Sequence, residues 1–295
     1  MMDISIALGG GGAKGNSHIG VLRRLEKEGY RIRAVAGTSF GGLVASFYAA
    51  GRSPNEIEEI FCNVDQSTLY TRHPGEGPSL LGLSRVNTWL DEVLGEVTFD
   101  ELKIPCVMTA VDLNQGSEVI LSKGRVKDAV LSTIALPGIF PPFRMNGWEL
   151  VDGGVLDPVP VAQARKLAPR LPVVAVVLNQ PLGEGPQTWS MPMPSILPRL
   201  ITERLSRLNF AQAMDIFMRS MQVESRAVTE YRLRVDQPEV VIRPNVDSVG
   251  VLDHVDVHEI AKLGEEATEL VLPDLKRAVA WPARLGRLMR GNNET

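Results

Sequence analysis

Three short blocks carry residue types able to do chemistry. Gly37-Thr38-Ser39-Phe40-Gly41 has the form G-x-S-x-G, and Gly9-Gly10-Gly11-Gly12-Ala13-Lys14-Gly15 is a glycine loop. Asp152-Gly153-Gly154 is the third block. Glycines flanking a serine permit a tight strand-to-helix turn that presents the hydroxyl above a sheet edge. A glycine loop opening a helix offers unhindered N–H groups where negative charge develops. Together the first two blocks supply a nucleophile and a place for the oxyanion that its attack creates, which is the chemistry of acyl transfer through a serine.

A serine needs a base. The chain has four histidines, His18, His73, His254 and His258. The order Ser39, Asp152, then His254 or His258 matches the chain order of α/β-hydrolase triads. That fold needs more strands before its elbow than the first thirty-eight residues can hold. His254 and His258, four apart in a charged segment, read more simply as exposed helix residues. Asp152 is the better base. An aspartate at a strand end before two glycines sits in a turn whose N–H groups can orient it. In a water-poor cleft, bonded directly to the serine, its carboxylate can take the hydroxyl proton and return it to the leaving group. On the tripeptide alone, an Asp-Gly turn that merely ends a strand explains the block as well.

The elements around these blocks alternate as in a largely parallel sheet covered by helices. Ile4 to Leu8 reads as a strand, and the next helix places Ile19, Leu22 and Leu25 on one side before Gly29. A second strand around Ile32 to Ala36 enters the elbow. Leu43 to Ala50 is small or apolar throughout, as in a buried helix beneath the nucleophile. Pro54 and Glu56 open a short helix, and the polar, Gly- and Pro-containing residues 63–85 read as a loop or flap. Pro105 to Val111 reads as a strand, with Asn114-Gln115-Gly116 as a hairpin turn into Glu118 to Leu121. Helices follow at Val126 to Ile134 and Val161 to Leu167, with strands ending at Val151, covering Val173 to Leu178, and at Val240 to Ile242. The proline-rich residues 180–198 break the pattern before a long helix with Leu205, Leu208, Phe217 and Met221 on one face.

Composition narrows the class. The 295 residues, 44% hydrophobic and 22% charged, suit a soluble globular chain with a sizeable core. A net charge of −4 leaves no basic excess for phosphate backbones, so no nucleic-acid partner is expected. Cys62 and Cys106 lie in apolar settings and read as two buried reduced thiols. Met1-Met2-Asp3 lacks the basic start of a signal peptide, and no run is apolar enough for a bilayer span. The expected location is cytoplasmic, with peripheral contact at the inner membrane face left open.

In these blocks the chain resembles the patatin-like phospholipase family. Gly10-Gly11-Gly12-Ala13-Lys14-Gly15 matches the family's oxyanion block, Gly37 to Gly41 its elbow, and Asp152 to Gly154 its D-G-G block, all in the family's order. Pro137-Gly138-Ile139-Phe140-Pro141-Pro142 and Val111-Asp112-Leu113-Asn114 are similar as well. The likeness covers residues 4–180. It implies a three-layer α/β fold with a largely parallel central sheet and helices on both faces. The chain then reads as one domain over 1–295, with 181–295 a helical extension on or beside the core.

The resemblance further implies a Ser39–Asp152 dyad with no catalytic histidine, no metal and no cofactor. Gly10, Gly11 and Gly12 would hold the oxyanion, and Lys14, Gly15, Gly37, Gly41, Gly153 and Gly154 would support loop and elbow. The implied substrate is a lipid ester, phospholipid or lysophospholipid. Lys14 reads equally as a source of positive potential or a solvated surface residue, and Asp157 as a backbone cap or turn.

Two rival readings stand beside this one. Gly10-x-Gly12-x-x-Gly15 with Glu28 downstream matches a dinucleotide fingerprint, but the second strand runs into a serine elbow that a nucleotide site does not need. Gly15 after Lys14 excludes a P-loop. A non-hydrolytic lipid-binding protein on the same fold is the other alternative. Leu81, Leu83, Trp189, Met191, Met193 and Ile196 could rim an acyl groove or pack an ordinary core. Leu285, Leu288 and Met289 between Arg284, Arg287 and Arg290 suit either an anionic bilayer surface or docking on the domain. The oligomeric state is not legible.

Overall fold

A computed structural model describes residues 2–181, 183 and 209–280. Eight strands form one sheet: β1 (Met2–Leu8), β2 (Tyr30–Thr38), β3 (Cys106–Asp112), β4 (Ser117–Leu121), β5 (Phe143–Met145), β6 (Trp148–Asp152), β7 (Val173–Val176) and β8 (Val240–Ile242). The spatial order is β5-β6-β3-β2-β1-β7-β8, with β4 paired to β3 beside this path. Strands β3, β2, β1, β7 and β8 run parallel, whereas β4 and β6 pair antiparallel with β3.

The helices are α1 (Ser17–Lys27), α2 (Phe40–Ala49), α3 (Pro54–Cys62), α4 (Ser84–Val93), α5 (Val126–Thr133), α6 (Val161–Leu167), α7 (Asn209–Asp236), α8 (Val257–Leu270) and α9 (Leu272–Val279). Local chemistry explains several boundaries. Ser53 and Glu56 form a reciprocal capping box with Pro54 in the first turn of α3. Asp256 caps α8 by accepting from the His258 and Glu259 N–H groups.

Alternation along the strands divides the core between two faces. Ile4, Ile6, Leu8, Val35, Met108 and Val176 belong to the larger core, which includes residues of α1 to α5 and α8. Ala7, Ala36, Val107, Val173 and Ala175 meet Val161 and Ala164 of α6 on the opposite face, with Leu233 of α7 packed beside them. The expected α/β sheet with helices on both faces is therefore what the chain forms. Gly20 of α1 and Gly264 of α8 draw those helices together: a Cβ at either would collide with backbone of the other helix.

The register of β3 decides where the chemistry sits. Met108 and Thr109 of β3 pair with β2 on one edge and β4 on the other, and Ala110 to Asp112 pair with β4 and β6. Strands β2 and β6 therefore occupy the same edge of β3 in succession. Thr38 ends β2 opposite Thr109, and Asp152 ends β6 opposite Ala110. Two strands of opposite direction thus terminate against consecutive residues, bringing their C-terminal ends together.

Several expectations need correction. Helix α4 occupies a stretch for which the sequence pattern predicts no element, with Val86 and Leu90 buried one turn apart. On α7 Met218, not Phe217, faces the core: Phe217 is 46% exposed and Met218 5%, since one residue rotates a side chain by about 100°. Leu205 and Leu208 lie outside the described residues. Cys106 is buried, but Cys62, at the end of α3 next to buried Phe61, is exposed. His254 precedes α8 rather than lying within a helix, and both it and His258 are exposed. Among the described residues, no helix is long and apolar enough to cross a membrane.

Candidate active site

The glycine loop leaves β1 under tight backbone control. Gly9 N–H donates to Val176 O (3.0 Å), Gly10 N–H to Pro158 O (2.9 Å) and Ala13 N–H to Val251 O (2.9 Å). His18 is fully buried, and its Nε2 lies 2.8 Å from Gly9 O. Burial holds this imidazole at a pKa of about 4, so it supports the loop as a neutral group. Gly12 adopts φ +60°, and a side chain there would strike Val251. The N–H groups of Gly11 and Gly12 donate to no protein acceptor among the described residues.

The elbow follows at the end of β2. Ser39 has φ 54° and ψ −129°, a conformation a non-glycine residue holds only when its surroundings enforce it. Ser39 N–H donates to Thr133 Oγ1 (2.8 Å), and Ser39 O accepts from Leu43 N–H (3.1 Å). A Cβ at Gly41 would meet the Leu8 and Gly9 carbonyls, and one at Gly37 would lie 2.5 Å from Gly42 Cα. Thr38 Oγ1 reaches Thr109 Oγ1 (2.7 Å) and donates to Asp157 O (2.8 Å).

Asp152 is 4% exposed. Its N–H donates to Ala135 O (3.0 Å), and its Oδ1 accepts from Gly154 N–H (2.7 Å). Ser39 lines the same cleft, and its side chain favours the ionised form of the carboxyl. Burial raises its pKa to about 6, partly offset by the Ser39 side chain and the bond from Gly154. Such a carboxylate is ionised at neutral pH yet basic enough to share a proton with a hydroxyl during reaction. Gly153 packs where any side chain would strike Thr109.

Lys14 and Gly15 complete the loop. Lys14 is 8% exposed, which removes the solvated-surface reading, and burial lowers its pKa. Gly15 lies against Phe40, the residue after Ser39. The Asp157 N–H bonds to Gly153 O (2.9 Å), the turn role expected of it. Its buried carboxyl, facing Arg232, Glu118 and Asp236, is held above the usual carboxylate range, chiefly by burial.

Other candidates make no bond to the serine among the described residues, although His254 borders the same cleft. His258 Nδ1 lies 2.9 Å from Glu58 Oε1 and its Nε2 3.5 Å from Cys62 Sγ. Neither His254 nor His258 bonds to Ser39 or Asp152 among the described residues. Glu28, the dinucleotide candidate, pairs with Arg24 at 2.9 Å. No group of three or more His, Cys, Asp or Glu could hold a metal ion among the described residues.

Ser39 lies where two arms of a cleft meet. One, of about 960 Å³, also exposes Gly10 to Gly12, Lys14, Asp152, Met218, Met221 and Arg226. The other, of about 910 Å³, is walled by Phe40, Leu43, Phe61, Leu69, Trp89 and Phe140. Phe61 makes edge-to-face contacts with Phe40 and Phe47 at 5.6 and 5.5 Å, giving this arm a rigid aromatic wall. Leu81 and Leu83 do not line it, and Leu83 is buried in the core. Trp189, Met191, Met193, Ile196 and the segment from Arg284 to Arg290 lie outside the described residues. Sequence reasoning missed Thr133, Met218, Met221, Arg226 and Val251, whose places at the serine depend on tertiary packing alone.

A family profile described as patatin-like phospholipase matches residues 6–165, more than half of the chain. The chain belongs to the patatin-like phospholipase family. An NTE family protein of Mycobacterium tuberculosis is 36% identical over 179 residues, which are 60% of this chain and 49% of that protein. Lysophospholipase NTE1 of Candida albicans is 26% identical over 293 residues, 96% of this chain and 21% of its own length. The chain thus spans half or less of these relatives. Among solved structures, VipD from Legionella pneumophila superposes with a TM-score of 0.54 at 14% identity, over 92% of this chain and 66% of that one. That likeness concerns the fold.

Proposed function

We propose that this protein is a serine acyl hydrolase acting on carboxylic esters of lipids through a Ser39–Asp152 dyad. The observation that carries the reading is the placement of Ser39 and the buried Asp152 carboxyl in one cleft, near enough that the serine side chain favours the ionised carboxylate. The two groups are held by the meeting ends of β2 and β6. Asp152 accepts the Ser39 proton as Oγ attacks the ester carbonyl, then returns it to the departing alkoxide. Water attacks the acyl-enzyme with Asp152 again as base. Because Gly10 N–H is engaged by Pro158, the oxyanion falls to the N–H groups of Gly11 and Gly12. Loss of one such donor typically lowers turnover by about 10²–10³.

The family match and the name of the Candida relative support a lipid ester as substrate, and the aromatic-walled arm suits an acyl chain. The test is fatty-acid release from phospholipid and lysophospholipid by wild type and by Ser39→Ala. Wild type should release fatty acid and Ser39→Ala none above background. Equal release by both would refute the assignment.

A further inference from the structure

A second cluster of reactive side chains lies where the end of α3 meets the start of α8. Cys62, the last residue of α3, is exposed, and its Sγ lies 3.5 Å from His258 Nε2. His258 Nδ1 lies 2.9 Å from Glu58 Oε1, and the other oxygen of Glu58 is held by Arg23. Glu58 and Cys62 are four residues apart, so α3 presents both on one face to the same imidazole. A carboxylate only accepts, so the hydrogen of the neutral imidazole sits on Nδ1 and the Nε2 lone pair faces the thiol. Asp256 accepts from the His258 N–H at 2.9 Å, which fixes the backbone carrying the imidazole. A nucleophile bonded to a base that a third group orients is the arrangement that activates serine and cysteine nucleophiles. None of the three side chains lines the cleft at Ser39.

We propose that Cys62, His258 and Glu58 form a second reactive centre, at which the Cys62 thiol exchanges with a neutral or cationic low-molecular-weight disulfide. Sγ attacks one sulfur of that disulfide as the S–H proton passes to His258 Nε2, and the S–S bond breaks. The imidazolium gives the proton to the departing thiolate, leaving a mixed disulfide on Cys62 and one free thiol. The cysteine is oxidised, the small disulfide is reduced, and a thiol reductant reverses the step. Loss of water around the sulfur, with the carboxylates of Glu58 and Asp256, raises the thiol pKa, so little thiolate forms by ionisation into water. Transfer to His258 during attack supplies the thiolate instead. The same two carboxylates disfavour an anionic partner. Phe61 and Val257, the chain neighbours of Cys62 and His258, line the aromatic-walled arm, so the adduct forms one residue from that wall. This chemistry is independent of Ser39.

The test follows adduct formation at pH 7 by intact mass and peptide mapping, with cystamine, 2-hydroxyethyl disulfide and dithiodiglycolate as cationic, neutral and anionic probes. N-acetylcysteine amide serves as the free thiol for comparison. Wild type should take up one adduct, on Cys62, and lose it to dithiothreitol. Cys106, buried and with its pKa pushed up to about 12, should stay unmodified. With 2-hydroxyethyl disulfide, Cys62 should react at least about tenfold faster than the free thiol, and His258→Gln should slow it by about 10- to 100-fold. Glu58→Gln should fall between the two, and Ser39→Ala should match wild type. The cystamine-to-dithiodiglycolate rate ratio should exceed that of the free thiol by about tenfold. Melting curves establish that each variant is folded. A Cys62 no faster than the free thiol, or a rate unchanged by His258→Gln, would mark an ordinary exposed thiol and overturn the centre. A preference for dithiodiglycolate overturns the assigned class of partner.

Discussion

Replacing Asp152 by asparagine should remove activity and raise stability together. The carboxyl titrates at 3.8 when exposed and at about 6 in the fold, because burial outweighs the stabilisation from the Ser39 side chain and the Gly154 N–H. The folded state therefore holds this proton more tightly than the unfolded chain. Between pH 4 and 6 the folded state binds more protons, so the carboxyl's contribution turns against folding as pH rises. At 1.36 kcal/mol per pH unit, the interval from 3.8 to about 6 corresponds to about 3 kcal/mol of cost, fully expressed above pH 7. Asparagine keeps an oxygen for the Gly154 N–H and carries no charge to desolvate, but it cannot take the serine proton. Urea unfolding followed from pH 4 to 8 should show the Asp152→Asn protein near wild type at pH 4. It should gain about 1–3 kcal/mol by pH 8. Its ester turnover at pH 8 should fall by at least about 10³. Wild-type kcat/KM should fall about tenfold per pH unit below about pH 6 as the base is protonated. A variant less stable than wild type at pH 8 would refute the claim that burial dominates at Asp152.

Thr133→Val leaves the Ser39 N–H without its acceptor, and should cost about 1–3 kcal/mol in thermal unfolding, with Thr133→Ser close to wild type. The double change His254→Gln and His258→Gln should leave ester turnover within about twofold of wild type, since neither imidazole bonds to the serine or its carboxylate among the described residues.

The parts of the site contained in contiguous motifs are legible in the amino-acid sequence. The glycine loop, the elbow and Asp152-Gly153-Gly154 each depend on local backbone geometry, and glycine betrays such geometry because a Cβ would collide. Gly37, Gly41 and Gly153 meet backbone or Thr109 at distances no side chain tolerates. The parallel core is legible for a similar reason: apolar runs such as Val173 to Val176 record burial on both faces. How the strand ends carrying Asp152 and Ser39 come together is not legible. It depends on β6 entering antiparallel where β2 stops, and register between distant strands leaves no local trace. The sequence misleads about the face of α7 because Phe217 and Met218 are both apolar and adjacent, and packing alone chooses between them. Nothing local to Arg226 marks it for the cleft, since only the packing of α7 brings it to the cavity that Lys14 also lines.

The central claim, that Ser39 is the nucleophile, is tested most directly by its covalent chemistry. Wild-type protein treated with an alkyl fluorophosphonate should gain one phosphonyl adduct by intact mass. Peptide mapping should place that adduct on Ser39, and Ser39→Ala should remain unmodified and inactive. An adduct on a different serine, or full ester turnover by Ser39→Ala, would contradict the account.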